Sequence, residues 1–205
     1  MEPTDTEKTA GAKREEEKDA PRKSPLWEFI RFAMIAALII IPFRIFIAQP
    51  FIVSGASMVP TFHNGEYLIV DELSYRFQRP ERGDIIIFRL PFDQKKFLIK
   101  RIVGLPNETI EVQSASITVR SETNPEGLRL EEPYLRAETN GNPQTIALGT
   151  DEYLVLGDNR EQSADSRIWG GLPRELIIGR AFLRLFPPSK LDLFPGKHAF
   201  GEEGK

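Results

Sequence analysis

Residues 83–105 read GDIIIFRLPFDQKKFLIKRIVGL, and the fold turns on whether this stretch is helix or strand. Its two apolar runs are short and rich in Ile, Val, Leu and Phe, and a polar PFDQKK separates them. Runs of this length and composition, bounded by Gly, Pro and Asp, are those of β-strands. The same texture continues on either side, in EYLIVDEL (66–73), ETIEV (108–112), SITV (116–119), EYLVLGD (152–158) and LIIGRAFLRLF (176–186). No amphipathic segment of helix length stands out beyond residue 50. Residues 51–188 are therefore expected to be mainly β, a sandwich or barrel. The more polar region of about residues 113–150, with turn signals at NPEG and TNGNP, is read as a small insertion or long hairpin. The C-terminal residues 189–205, ending in GKHAFGEEGK, are read as a frayed tail.

Upstream the chain changes character twice. Residues 1–27 include KTAGAKREEEKDAPRKSP, charged in both signs and nearly free of large apolar side chains. They bury too little to offset chain entropy and are expected to be disordered. Residues 28–50 contain FIRFAMIAALIIIPFRIFIA, Phe29–Ala48. Its length as a helix, about 30 Å, matches a bilayer core, and Arg31 and Arg44 lie near its ends, where long side chains reach the interface. Lys13, Arg14, Lys18, Arg22 and Lys23 precede the run, whereas no Lys or Arg falls between Ile45 and Tyr75. The cation bias places the N-terminus in the cytoplasm and the β domain outside it. The bulky Phe46 two positions before Ala48 disfavours a cleavable leader, so the run is read as a permanent single-pass anchor.

Composition narrows the chemistry. The 205-residue chain has no Cys, which excludes disulfides, thiolate metal sites and Cys nucleophiles. A formal net charge of −3, with no basic stripe, argues against nucleic acid as a partner. No metal-ligand spacing is present, and no cofactor is expected. A serine nucleophile is left needing a proton acceptor. Of the two His, His198 lies in the tail and His63, in FHNGE, reads as part of a solvated turn. The alternative is a lysine. An ordinary Lys is neutral in only about one molecule in 250 at pH 8; lowering its pKa by about two pH units means destabilising the ammonium by about 2.7 kcal/mol, which burial can supply. Lys100, within FLIKRIVGL, has the apolar setting for this, on the same strand face as Leu98 and Ile102, with Arg101 pointing the other way. A charge guarding a strand edge is the plainer reading of Lys100. The polar stretch after EYLVL carries Asp158, Asn159, Arg160, Ser163, Asp165, Ser166 and Arg167, the material either of a surface loop or of a site.

Four segments, taken together, resemble the sequence boxes of type I signal peptidases, membrane-anchored serine proteases that remove signal peptides from exported proteins. SGASMVPTF looks like the nucleophile box, GDIIIFRLP the strand box, LIKRIVGLPNE the lysine box and LGDNREQSADSRIWGGLP the last box, in the family's order, over roughly residues 28–188. The resemblance implies a curved β catalytic domain with Ser57 as nucleophile, Lys100 as general base and Ser163 as the hydroxyl that orients the lysine. It implies Asp158, Asp165 and Arg167 as structural support and the Ser57 backbone N–H as oxyanion donor. The implied partners are preproteins bearing signal peptides and the lipid bilayer. One branch of the family has a serine two positions before the nucleophile, where this chain has Gly55, with Ser54 one further back. Met58 and Phe62 are expected to offer apolar surface towards the bilayer. The competing reading is an anchored β-domain that binds exported proteins without cutting them.

Overall fold

The computed structural model describes residues 25–46, 48–113, 116–135 and 142–200. Most of the expected tail, residues 1–24, and the last five residues of the chain lie outside the described residues. By its contacts the chain forms two units, divided between Ile40 and Ile41. The first contains most of helix α1 (Pro25–Phe46), which covers most of the apolar run. The side chains of residue 39 and of residues 41–48 lie outside the described residues, and among the described residues no helix is long and apolar enough to cross a membrane.

In the second unit the strands are β1 (Ala48–Ile52), β2 (Tyr67–Asp71), β3 (Ile85–Leu90), β4 (Asp93–Gly104), β5 (Thr109–Gln113) and β6 (Ser116–Arg120). They continue as β7 (Leu128–Leu130), β8 (Gln144–Ala147), β9 (Glu152–Leu156), β10 (Leu172–Pro173), β11 (Ile177–Phe186) and β12 (Asp192–Leu193). The short helix α2 (Ser166–Trp169) precedes β10. Among the described residues the strands form two antiparallel sheets. The larger runs β1-β2-β11-β3-β4-β9-β10, with β12 added to β11, and the smaller runs β7-β6-β5-β8. The expected alternative of a closed barrel does not hold, because β1 and β10 are separate edges of an open sheet. Register shifts at Ile177/Gly179, Ala181/Leu183 and Arg184/Phe186 let β11 bend without closing the sheet.

Residues 83–105 form the centre of the large sheet. β3 and β4 pair from Ile85↔Arg101 to Arg89↔Phe97. Ile85 and Ile87 pack with Val53, Met58, Phe62, Leu68, Val70 and Ile99, whereas Ile86 and Phe88 pack with Ile102, Tyr153, Val155 and Leu172. Both faces of β3 are covered, so its sequence is continuously apolar rather than alternating. The small sheet is covered on one face: Ile110, Val112, Ile117 and Val119 are buried against Val103, Leu154 and Leu156, with Thr and Glu between them facing outward.

The end of the chain is not frayed as far as it is described. The Gly196 carbonyl accepts from Arg101 at 2.6 Å, and Phe200 packs against the third apolar cluster. A Cβ on Gly83 would clash with the His198 carbonyl, so the segment lies directly against this glycine. The reason is Arg101, buried at mid-sheet and in need of acceptors that this segment provides.

Candidate active site

Ser57 sits in the loop between β1 and β2, held at its base by Val53 N–H to Glu66 O and Gly65 N–H to Val53 O, both 2.9 Å. Gly55 takes φ of +93°, a conformation L side chains rarely adopt, and its N–H donates to Asn64 Oδ1 at 3.0 Å. The turn is pinned from below by Met58 and Phe62, which are 1% and 0% exposed. The expectation that these two present apolar surface outward is therefore corrected: both are packed into the core with Val53, Leu68 and Val70 and anchor the loop there.

Lys100, on β4, is 2% exposed. Its Nζ lies 2.7 Å from Ser57 Oγ and donates to the Ile99 carbonyl at 2.8 Å. The first contact runs either way: the ammonium donates to Oγ, whereas the neutral amine accepts the Ser57 proton. Burial pushes the Lys100 pKa down from 10.5 to about 8, and the charges of Asp165 and Asp158 act against it without prevailing. Thus the Lys buried in an apolar setting is also the one beside Ser57. Ser57 and Lys100 line a cleft whose apolar walls include Phe51, Val53, Leu68, Ile87, Phe97 and Ile99. Ser54 lies on the same cleft. His63 instead faces Glu66, at 3.7 Å, and Lys190, at 3.3 Å.

The stretch after β9 closes around this pair. Asn159 N–H donates to the Ser57 carbonyl at 2.9 Å and its Nδ2 to the Ala56 carbonyl at 3.1 Å. A Cβ on Gly157 would lie 2.5 Å from the Ser57 carbonyl oxygen and would also meet Ser163 Oγ. Asp165, 0% exposed, accepts from Gly157 N–H at 3.1 Å and holds Arg167 through Nε and Nη2 at 2.8 and 2.9 Å. Asp158 takes both Nε and Nη2 of Arg101, at 2.8 and 2.7 Å, and a hydrogen bond from Thr61 Oγ1. The Asp158–Arg101 pair therefore ties this loop to the Lys100 strand, the hydrogen bonds of Thr61 and Asn159 tie it to the Ser57 loop, and the Asp165–Arg167 pair braces it internally. Ser163 does not make the expected contact. Among the described residues its buried Oγ has no hydrogen-bond partner, and the Lys100 amine donates to the Ile99 carbonyl.

Arg101, Thr61 and Gly157 acquire importance only in three dimensions. Arg101 was legible only as the neighbour of Lys100, and Gly157 carried no signal beyond ending a strand. Among the described residues no group of three or more His, Asp or Glu could hold a metal ion.

The sequence profile of a family described as signal peptidase, peptidase S26, matches residues 26–186. A probable signal peptidase I-1 from Synechocystis sp. is 36% identical over 183 residues, 84% of this chain and 90% of the relative. Signal peptidase I from Leptolyngbya laminosa is 36% identical over 82% of this chain and 83% of its own length. A chloroplastic thylakoidal processing peptidase 1 from Arabidopsis thaliana is 34% identical over 80% of this chain and 49% of the relative. With a match over most of its length and a serine–lysine contact in an apolar-walled cleft, the chain belongs to the signal peptidase family, peptidase S26.

Proposed function

We propose that this chain is a serine endopeptidase that removes N-terminal signal peptides from exported preproteins at a membrane surface. The observation that carries the reading is the 2.7 Å contact between a buried lysine amine and the Ser57 hydroxyl. Neutral Lys100 takes the proton of Ser57 as Oγ attacks the scissile carbonyl, then passes it to the leaving amine; Lys100, neutral again, deprotonates the water that attacks the acyl-enzyme and returns the proton to Ser57 Oγ as the acid leaves. The Ser57 N–H is the oxyanion donor. Asp158, Asp165 and Arg167 keep the two loops in register. Ser163, whose buried Oγ has no partner among the described residues, is the acceptor for the Lys100 ammonium while the lysine holds a proton taken from Ser57 or from water. The apolar cleft beside the pair suits the small side chains that precede a signal-peptide cleavage site.

The run within residues 28–50 is the single-pass anchor, with residues 1–27 cytoplasmic and the catalytic domain, residues 51–188, extracytoplasmic. The partners are preproteins and the lipid bilayer, without nucleic acid and without a metal. The test is cleavage of a preprotein by the detergent-solubilised full-length chain, with the cut site read by mass spectrometry beside Ser57→Ala and Lys100→Met. Cleavage after a small residue, abolished in both variants, is the expected result. A well-folded wild type that binds preproteins but leaves them intact overturns the proposal in favour of an anchored binding domain.

A further inference from the structure

A second cleft lies outside the catalytic pair. Its charged lining is Arg76, Arg89 and Arg174, with Glu72 and Glu175: three guanidinium groups against two carboxyls. Arg76 ends the 3-10 turn Ser74–Arg76, Arg89 is near the end of β3, and Arg174 is in the turn before β11. Residues separated by up to about half the chain thus bring cations to one place. Burial pushes the Glu72 carboxyl up while the charges of Arg76 and Arg89 act against it, and among the described residues its Oε1 has no hydrogen-bond partner. Arg174 is braced by the Tyr75 and Ile177 carbonyls, whereas Arg76 and Arg89 are exposed.

The position of the cleft is informative. Ala48, the last residue of the apolar run, is in register with Asp71 on β2, and the cleft begins one residue further, at Glu72. The arginines therefore gather beside the point where the chain leaves its apolar segment. Arg76 is followed by Phe77, 80% exposed, and Arg89 is followed at the β3–β4 turn by Phe92, 70% exposed. Cations flanked by exposed aromatic rings match the two chemistries of a membrane interface, phosphate and the boundary of the acyl layer.

We propose that Arg76, Arg89 and Arg174 form a site for the phosphate of an anionic lipid headgroup, next to the chain's exit from the bilayer. The site rests on the reading of the apolar run as an anchor and is independent of the cleavage chemistry. Bound there, a headgroup fixes the height and tilt of the domain over the membrane, and with it the approach of the Ser57 cleft to a substrate emerging from the same bilayer.

The test uses the delipidated full-length chain in neutral detergent, titrated with phosphatidylglycerol, phosphatidylcholine or inorganic phosphate and followed by native mass spectrometry. The wild type is expected to retain one phosphatidylglycerol at concentrations where phosphatidylcholine is not held. Arg76→Gln with Arg89→Gln, both at exposed positions, is expected to weaken that binding about thirtyfold, at roughly fivefold per lost cation. Arg89→Lys, which keeps the charge, is expected to stay within a few-fold of wild type. Equal retention of the two lipids, or unchanged binding in the double variant, overturns the site. Inorganic phosphate binding as tightly as phosphatidylglycerol at these arginines makes the ligand a free anion and overturns the lipid assignment. A preprotein that is cut normally in either case leaves the peptidase reading standing.

Discussion

Replacing Lys100 with Met is expected to abolish cleavage and, at neutral pH, to stabilise the protein. The ammonium is held in a site where burial brings its pKa from 10.5 to about 8, which corresponds to about 3 kcal/mol against the charged form. The sign follows from proton linkage. Between these two values the unfolded chain binds more protons than the folded one, so stability rises with pH across the window and the full penalty is present below about 8. Methionine has nearly the shape of lysine and no charge, so at pH 7 it removes that penalty. It also leaves the Ile99 carbonyl without its 2.8 Å donor, a loss of about 1 kcal/mol. The net gain is about 2 kcal/mol, or roughly 4–8 °C in Tm for a domain of this size. Denaturant unfolding of the full-length chain in detergent, run at pH 7 and at pH 10.5, measures it. At the higher pH the folded lysine is neutral and the unfolded one about half neutral, so nearly all of the penalty is gone and the advantage of Met should vanish. A Met variant less stable than wild type at pH 7, or a difference that ignores pH, refutes the reasoning.

The same lowered pKa sets the rate profile: between pH 6 and pH 8 cleavage should rise about fiftyfold with a slope near one, and a rate flat down to pH 5 removes Lys100 as the base. Gly157→Ala puts a Cβ 2.5 Å from the Ser57 carbonyl; displacing the nucleophile by even a fraction of that should lower kcat by about a hundredfold in a folded protein, and wild-type turnover would show that the loop has slack. Asp158→Asn leaves the Arg101 guanidinium, whose side chain is 1% exposed, without its counter-ion, and should reduce stability by about 3–5 kcal/mol in chemical denaturation; a loss below about 1 kcal/mol would mean that the carbonyls of Gly83 and Gly196 suffice.

What the sequence made legible was local. IIIF and FLIKRIVG declare strands because β-branched and aromatic runs bounded by Pro and Asp have few other solutions, and these strands lie where they were expected. Ser57 and Lys100 were legible as types, a serine in a glycine turn and a lysine in an apolar run, but their 43-residue separation gives no local signal of contact. The closure of the sheet was not legible either, since whether an edge strand finds a partner depends on how far bulges in β11 turn it. The buried charges were hidden most completely. Arg82 pairs with Glu108, Arg101 with Asp158, Arg160 with Glu132, and Arg184 with Glu66; each looks like a surface residue until its partner is brought from elsewhere in the chain. Met58 and Phe62 were misjudged for the converse reason, because apolar residues in a loop beside a membrane segment are as consistent with a lipid-facing patch as with a loop pinned into the core.

Lys100 and Arg101 show how one strand gives two neighbouring cations opposite fates. Both are buried to within 2% of complete burial, so both meet the same adverse dielectric. Arg101 is compensated in full: a bidentate carboxylate, two carbonyls and the face of the Tyr134 ring 3.9 Å from its Cζ. It stays charged and becomes structural. Lys100 receives a hydroxyl and one carbonyl and, among the described residues, no carboxylate in hydrogen-bond contact, with the more distant fields of Asp165 and Asp158 acting on it. Its lowest-energy response is to give up the proton near neutral pH, which is what a base requires. Asp158 binds the neighbour, not the lysine, and Asp165 is engaged with Arg167. The arginines thus keep the local carboxylates occupied, and that occupation leaves the Lys100 pKa low enough for the base role proposed for it.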